Sequence, residues 1–246
     1  ITQNGKTSSM GTTFNGDGRF VVCDAHTMKR LVARDMPFYA NIDTSTGATQ
    51  SSKSTLCWPQ HIVVVSPEKA YIQYSTADNE SHSGIRIVDL QTNIIRTSDI
   101  PGTFGVFTKT GATKARMIFS RGKVFAGRGN SVIVIDPATD AVIKTVTYEN
   151  RQVKDLAKGY DGKIYAIFTG EFTGNSGMTG AASFTKPAMI VALDANGEVV
   201  SETNLPEQIE LRTGTASPTV QMCASFTQPH LYFIGKQDFS AYEAMR

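Results

Sequence analysis

This chain lacks an excess of charge of either sign. Its 24 Lys and Arg against 22 Asp and Glu leave a net charge of +2, with the signs interspersed. That excludes the basic stripe of a dedicated nucleic-acid surface. Long apolar runs are absent too: no stretch approaches the ~20 residues of a helical membrane span. Cysteine is scarce. Cys23, Cys57 and Cys223 are too few and too scattered for a disulfide framework or a zinc site. They are expected as small buried apolar side chains, one disulfide with one thiol left over being the alternative. The four histidines, His26, His61, His82 and His230, show no pair at metal-ligand spacing. No window of helical periodicity is long enough to count; 153–157 and 242–246 come nearest. No glycine-rich phosphate loop qualifies either, because Gly127–Asn130 links two strands with no helix N-terminus behind it. No cofactor is expected.

What is present is β-forming sequence between tight turns. At 246 residues the chain can bury roughly 70% of its unfolded surface. The sharpest pattern is Ser131–Val146, SVIVIDPATDAVIKTV. Two β-branched strands flank a turn opened by Asp136-Pro137 and completed by Thr139 and Asp140. Relatives of this hairpin recur as RFVVCD…MKRLVARD, IRIVDLQTNIIRT and AMIVALDANGEVVSET. Between them lie a second type of hairpin: IVVVSPEKAYIQY, ARMIFSRGKVFAGRG, VKDLAKGYDGKIYAIF and, at the end, Val220–Phe226 with LYFIGK. Ile62–Val65, a continuous apolar run, is expected to be covered on both faces, and the alternating Ala70–Tyr74 to lie nearer solvent. Segments 38–56 and 171–187 read as long loops. The aspartates ending each third strand, Asp24, Asp89, Asp136 and Asp194, are about 47 to 65 residues apart. That brackets or exceeds a propeller blade of roughly 40–50 residues. The fold class is therefore all-β, a β-propeller of four-stranded blades.

VIVIDPATDAVIKTV, IRIVDLQTNIIRT, YDGKIYAIF and SPEKAYIQYS resemble the YncE-like, surface-layer β-propeller family, whose repeat pairs an xVxVID-xxTxxVxxTI hairpin with an xxDGKxxYV hairpin. The resemblance is good over residues 60–170. The opening, ITQNGK…GRFVVCDAHTM, is similar to the start of such domains in secreted lipoproteins of gut Bacteroidetes. It implies one propeller domain over 1–246, with four to five blades visible of six or seven and a C-terminal portion missing. It also implies an extracytoplasmic protein, at the cell surface or in the periplasm. A small-molecule or glycan ligand is implied, with an outer-membrane transporter or a neighbouring surface protein as partner. Non-catalytic ligand capture with glycans first is the function expected. Corrinoid binding and a protein-interaction scaffold are the alternatives, and a propeller lyase or lactonase ranks behind both.

Loop lengths point to where a ligand would sit. Turns between first and second and between third and fourth strands are short, whereas the long segments fall at 5–18, 38–57, 75–84, 101–114, 170–187 and 205–219. In an up-and-down blade those connections emerge at one end of the strands, the end expected to bind. Candidate ligand-binding residues just ahead of, or opening, the inner strands are Trp58, Gln60, His61, Lys114, Arg116, Gln152, Lys154 and Gln221. An indole beside amides and cations suits a sugar or another polar ring; equally, Trp58 fits a plug between blades and the Lys and Arg fit solvated strand edges. No catalytic residue and no metal ligand is assigned. The recurrent aspartates are read as turn residues, at the opposite end of the strands.

Overall fold

Runs of alternating or continuous apolar residues, cut by turn formers, become antiparallel meanders. The computed structural model describes residues 2–4, 17–37, 39–42, 49–55, 57–76, 82–106, 116–173, 183–206 and 221–234. The chain divides into two units, 1–100 with 104–106, and 101–103 with 107–246.

In the first unit, β1 (Thr2–Asn4), β2 (Asp17–Cys23) and β3 (Arg30–Asp35) form one sheet in that order. Segment 38–56, read as a loop, instead carries a hairpin of β4 (Tyr39–Ile42) and β5 (Thr49–Thr55). β4 is only four residues long, and the Ser/Thr-rich β5 lacks the apolar period that marks the others. The next sheet runs β6 (Cys57–Ser66), β7 (Lys69–Thr76), β8 (His82–Asp89), and on the far edge of β8 it carries both β9 (Ile94–Asp99) and β10 (Gly105–Val106). His82 thus opens a strand. Phe20 and Met36 pack with Ala70, Ile72, Tyr74 and Val88 in one core. Here the expected burial is reversed. Val64 in the continuous run is 56% exposed, while Ala70 to Tyr74 are all buried. The reason is position: β7 lies between β6 and β8, whereas β6 is an edge strand.

The second unit holds two four-stranded sheets. One runs β11 (Ile118–Ser120), β12 (Lys123–Arg128), β13 (Ser131–Asp136), β14 (Ala141–Thr147). The other runs β15 (Val153–Lys158), β16 (Ile164–Phe168), then β19 (Met189–Leu193) and β20 (Val199–Asn204). A hairpin of β17 (Glu171–Thr173) and β18 (Ser183–Lys186) interrupts the second sheet, where a plain loop was expected. A last pair, β21 (Gln221–Ala224) and β22 (Leu231–Ile234), follows.

The period of two explains the stacking. Ile164, Ala166 and Phe168 face Phe125, Val132 and Val134 of the preceding sheet, as do Met189, Val191 and Leu193. Their neighbours Ile167 and Ile190 face Met222 and Leu231 on the other side. Middle strands buried on both faces need near-continuous apolar sequence. The outer strand β14 instead alternates exposed and half-buried residues. Sheets that stack in sequence order, first strand beside first strand (β11 with β15, β15 with β21), are the blades of a β-propeller.

The four aspartates are turn residues. Asp24 Oδ1 accepts from the amides of His26 and Thr27, Asp89 Oδ1 from Gln91 and Thr92, Asp136 Oδ1 from Ala138, and Asp194 Oδ1 from Asn196 and Glu198. These are the self-bonded turns that Asp favours. The amides of Thr27, Thr92 and Glu198 are the main causes holding Asp24, Asp89 and Asp194 below the usual carboxylate range. Arg121 and Gly122, both at positive φ, make the two-residue turn between β11 and β12. All three cysteines are free. Cys57 is buried as expected, but Cys23 and Cys223 are exposed. Cys23 ends β2 opposite Arg30, where the register shifts beside the turn, and Cys223 stands in a two-stranded ladder opposite the exposed Tyr232.

Candidate functional site

The inner strands of the second unit bring together three of the residues singled out by sequence. Arg116 lies two residues ahead of β11, Gln152 immediately precedes β15, and Lys154 lies within β15. Between them stands a residue the sequence did not mark, Asp155, only 2% exposed. Arg116 grips its carboxylate from Nε at 3.0 Å and Nη2 at 2.7 Å, and its backbone N–H adds a bond at 3.3 Å. The amides of Leu156, at 2.9 Å, and Met222, at 2.7 Å, also donate to Asp155. Arg116 Nη2 donates to the Met222 carbonyl as well. Asp155 therefore ties the starts of three successive inner strands together. Its bonds raise the Arg116 pKa above its usual value. Bidentate Arg–carboxylate geometry is what makes such a pair specific. Arg116 is thus a strut first, with part of its guanidinium still open to solvent, its side chain being 40% exposed.

Gln152 is buried. Its backbone exchanges bonds with Thr169, and its side-chain Oε1 accepts from Lys154 Nζ at 3.4 Å. Lys154 is different from both. In the β15–β16 ladder Val153 pairs with Phe168 and Asp155 with Ile167, so Lys154 is the extra residue of a bulge. Bulges re-aim a side chain and recur beside binding sites. The Lys154 amine is half-buried, and that burial pushes its pKa down to about 8. Among the described residues no carboxylate lies within ion-pair distance of it.

In the first unit the ladder of β6 and β7 carries the same device. Pro59 pairs with Tyr74 and His61 with Gln73, leaving Gln60 as the extra residue. Gln60 and Lys154 therefore hold the same place in their blades, with His61 corresponding to Asp155. Trp58 and Gln221 have their backbones in β6 and β21, opposite Ser75 and Ile234. Their side chains, and Lys114 altogether, lie outside the described residues. So do most of the long segments, at 5–16, 43–48, 77–81, 107–115, 174–182 and 207–220.

The lowered Lys154 pKa has a consequence for stability. Its folded value, about 8, lies below the 10.5 of the unfolded chain, so between those values the unfolded state binds more protons. Stability must then rise with pH from about 8 to 10.5. Thermal melts at pH 7.5 and 10 are expected to show this gain in the native protein and to lose it in Lys154→Met. An equal gain in both would deny the desolvated amine.

Similar solved structures include hydrazine synthase of Kuenenia stuttgartiensis, 17% identical over 88% of this chain and 67% of that one, with a TM-score of 0.45. The Cps50 (Swd1) β-propeller domain of Myceliophteria thermophila is 10% identical over 91% and 63%, at a TM-score of 0.47. The WD40 domain of Neurospora crassa Pan2 is 10% identical over 91% and 55%, at 0.48. The chain spans between 55% and 67% of the length of these three. At such scores the likenesses carry no argument, and the blade architecture rests on the strand pairing above. No curated protein matches by sequence. A family model described as Domain of unknown function (DUF5074) matches residues 3–244.

Proposed function

For a chain that thereby belongs to the DUF5074 family, we propose non-catalytic capture of a polar, hydroxyl-rich ligand, a glycan, at the starts of the inner strands. The observation that carries this is Lys154. A bulge sets its amine apart from the ladder, an amide oxygen at 3.4 Å steadies it, and no carboxylate among the described residues neutralises it. A partly desolvated ammonium favours an anionic or strongly polar partner. A glycan bearing a carboxylate, a uronic acid, supplies both an anion for Lys154 and hydroxyls for the amide of Gln152 and the open edge of Arg116. Capture rather than catalysis fits because Asp155, the adjacent carboxylate, already accepts from five N–H groups and has no capacity left as a base.

The resemblance of the repeats to YncE-like surface-layer propellers supports placing the protein outside the cytoplasm, at the cell surface or in the periplasm. It also supports an outer-membrane transporter or neighbouring surface protein as recipient of the ligand. Calorimetric titration with oligogalacturonate and alginate fragments tests the reading. Binding is expected at pH 7, weakening above pH 8 as Lys154 loses its proton, and falling about tenfold in Lys154→Met with the melting temperature at pH 7 not lowered. Binding that ignores both pH and the substitution would remove Lys154 from the site. Recovery of shortened fragments would make the protein an enzyme instead.

A further inference from the structure

A second candidate site opens around Arg151, with a lining that does not include Lys154. The ends of β14 and β20, the link 148–151, Met189, and Glu171 and Lys186 at the base of β17 and β18 line an open cavity of about 480 Å³. That is within the range of small-ligand pockets. It sits at the loop-bearing end of the second unit's strands.

Its chemistry is unusual for a protein surface. Arg151 lines the cavity yet is only 6% exposed. Nη1 of its guanidinium is fixed by two carbonyls, Thr169 at 2.7 Å and Pro187 at 2.8 Å. Nε and Nη2 make no hydrogen bond to any described residue, and no described carboxylate stands within ion-pair distance. With Nη1 fixed and its other donors without a partner among the described residues, the guanidinium is poised for an acceptor that enters the cavity. Also on the lining, the exposed Glu202 accepts from Tyr148 Oη at 2.5 Å through Oε1, and its Oε2 has no described partner. Glu171 is already paired with Lys186 at 2.7 Å. The Tyr148 ring, edge-on to Phe168 with centroids 4.9 Å apart, and buried Met189 give the cavity an apolar wall.

We infer that this cavity binds one neutral saccharide ring. The lining carries Glu149, Glu171 and Glu202 against Arg151 and Lys186, so an anionic ligand meets net repulsion. A cationic ligand would lie against the buried guanidinium. A sugar hydroxyl both accepts and donates, so one ring can take the Arg151 donors and give to Glu202 Oε2, while its C–H face covers Tyr148 and Met189. The inference goes beyond the proposed capture of acidic glycans, since the two sites select ligands of different charge.

The test is titration with a panel of neutral monosaccharides (glucose, galactose, mannose, xylose), each hexose beside its uronic acid. One neutral sugar is expected to bind, its uronate about tenfold more weakly. Glu202→Gln keeps an oxygen for Tyr148 but loses the anionic acceptor, and should weaken binding about tenfold with the melting temperature unchanged. Because Arg151 also anchors two carbonyls, Arg151→Lys is read against Tyr148→Phe, which spares those carbonyls and should weaken binding a fewfold. Lys154→Met should leave neutral-sugar binding untouched. The inference is overturned if no neutral sugar binds, if the uronate binds better, or if Glu202→Gln has no effect. It is overturned equally if Lys154→Met abolishes neutral-sugar binding, a result that would leave the inner-strand site standing alone.

Discussion

Replacing Asp155 with alanine is expected to destabilise the second unit by about 3 kcal/mol. Breaking a buried ion pair by removing one partner costs roughly 3–5 kcal/mol. The lower end applies because the Arg116 side chain is 40% exposed and water screens what it loses. The Met222 amide, buried at its bond to Asp155, would be left without its acceptor, at a cost of about 1–3 kcal/mol included in the same figure. For a unit of this size that corresponds to a fall in melting temperature of roughly 6–12 °C. Arg116→Met should cost about half as much, since Asp155 keeps the backbone amides of Arg116, Leu156 and Met222. Chemical denaturation of both variants and the double mutant checks this. A loss below about 1 kcal/mol in Asp155→Ala would deny that the carboxylate ties the inner strands together.

Arg86→Met in the first unit should be as damaging. Arg86 is 1% exposed. Its guanidinium lies 4.6 Å from the centre of the Tyr74 ring and 3.8 Å from Asp99 Oδ1, and its Nη1 donates to the Pro37 carbonyl. Tyr74 Oη donates to Asp99 Oδ2 at 2.8 Å. Removing the cation leaves a mostly buried carboxylate with the Tyr74 phenol as its hydrogen-bond partner among the described residues, a loss of about 3–5 kcal/mol at pH 7. The pH dependence gives a second check. Burial already raises the Asp99 pKa above its unfolded value. For a carboxyl raised in this way, stability increases as pH falls through the folded pKa. Without Arg86, which lowers that pKa, the effect must grow. The deficit of Arg86→Met should therefore shrink on acidification, and Asp99→Asn in the same chain should recover part of it at pH 7. A deficit that is constant with pH would mean that lost packing, not an uncompensated carboxylate, is the cause.

What the sequence made legible was whatever repeats locally. Ser131–Val146 announced β13 and β14, and Asp136, Asp89, Asp194 and Asp24 announced turns, because an Asp side chain bonds amides two to four residues onward. The strands missed were those without apolar rhythm. Thr49–Thr55 forms β5 from Thr, Ser, Gln and Lys, and Ser183–Lys186 forms β18. Burial of the Ile62–Val65 run was misjudged because hydrophobicity alone does not say which strand ends at a sheet edge.

The site divides in the same way. Lys154, Gln152 and Arg116 were found because they begin strands in a recurring unit. Asp155 was not, since its partners Arg116 and Met222 are 39 and 67 residues away and VKDLAK carries no local mark. The register shift that frees Lys154 and Gln60 from their ladders is likewise invisible in a run of residues. The cavity around Arg151 draws on the link after β14, the β17–β18 hairpin and the end of β20. Only the hint that irregular length gathers at one end of the strands pointed there.

The starts of the inner strands are proposed to bind a polar ligand without transforming it. Amide NMR of the isotope-labelled chain, titrated with an oligogalacturonate fragment at pH 7, tests it most directly. The expected result is shifts clustered at Arg116, at Gln152–Leu156 and at Gln221–Met222, with the fragment recovered intact. Shifts clustered instead at the turns of Asp24, Asp89, Asp136 and Asp194, or no shifts with any acidic glycan, would contradict it.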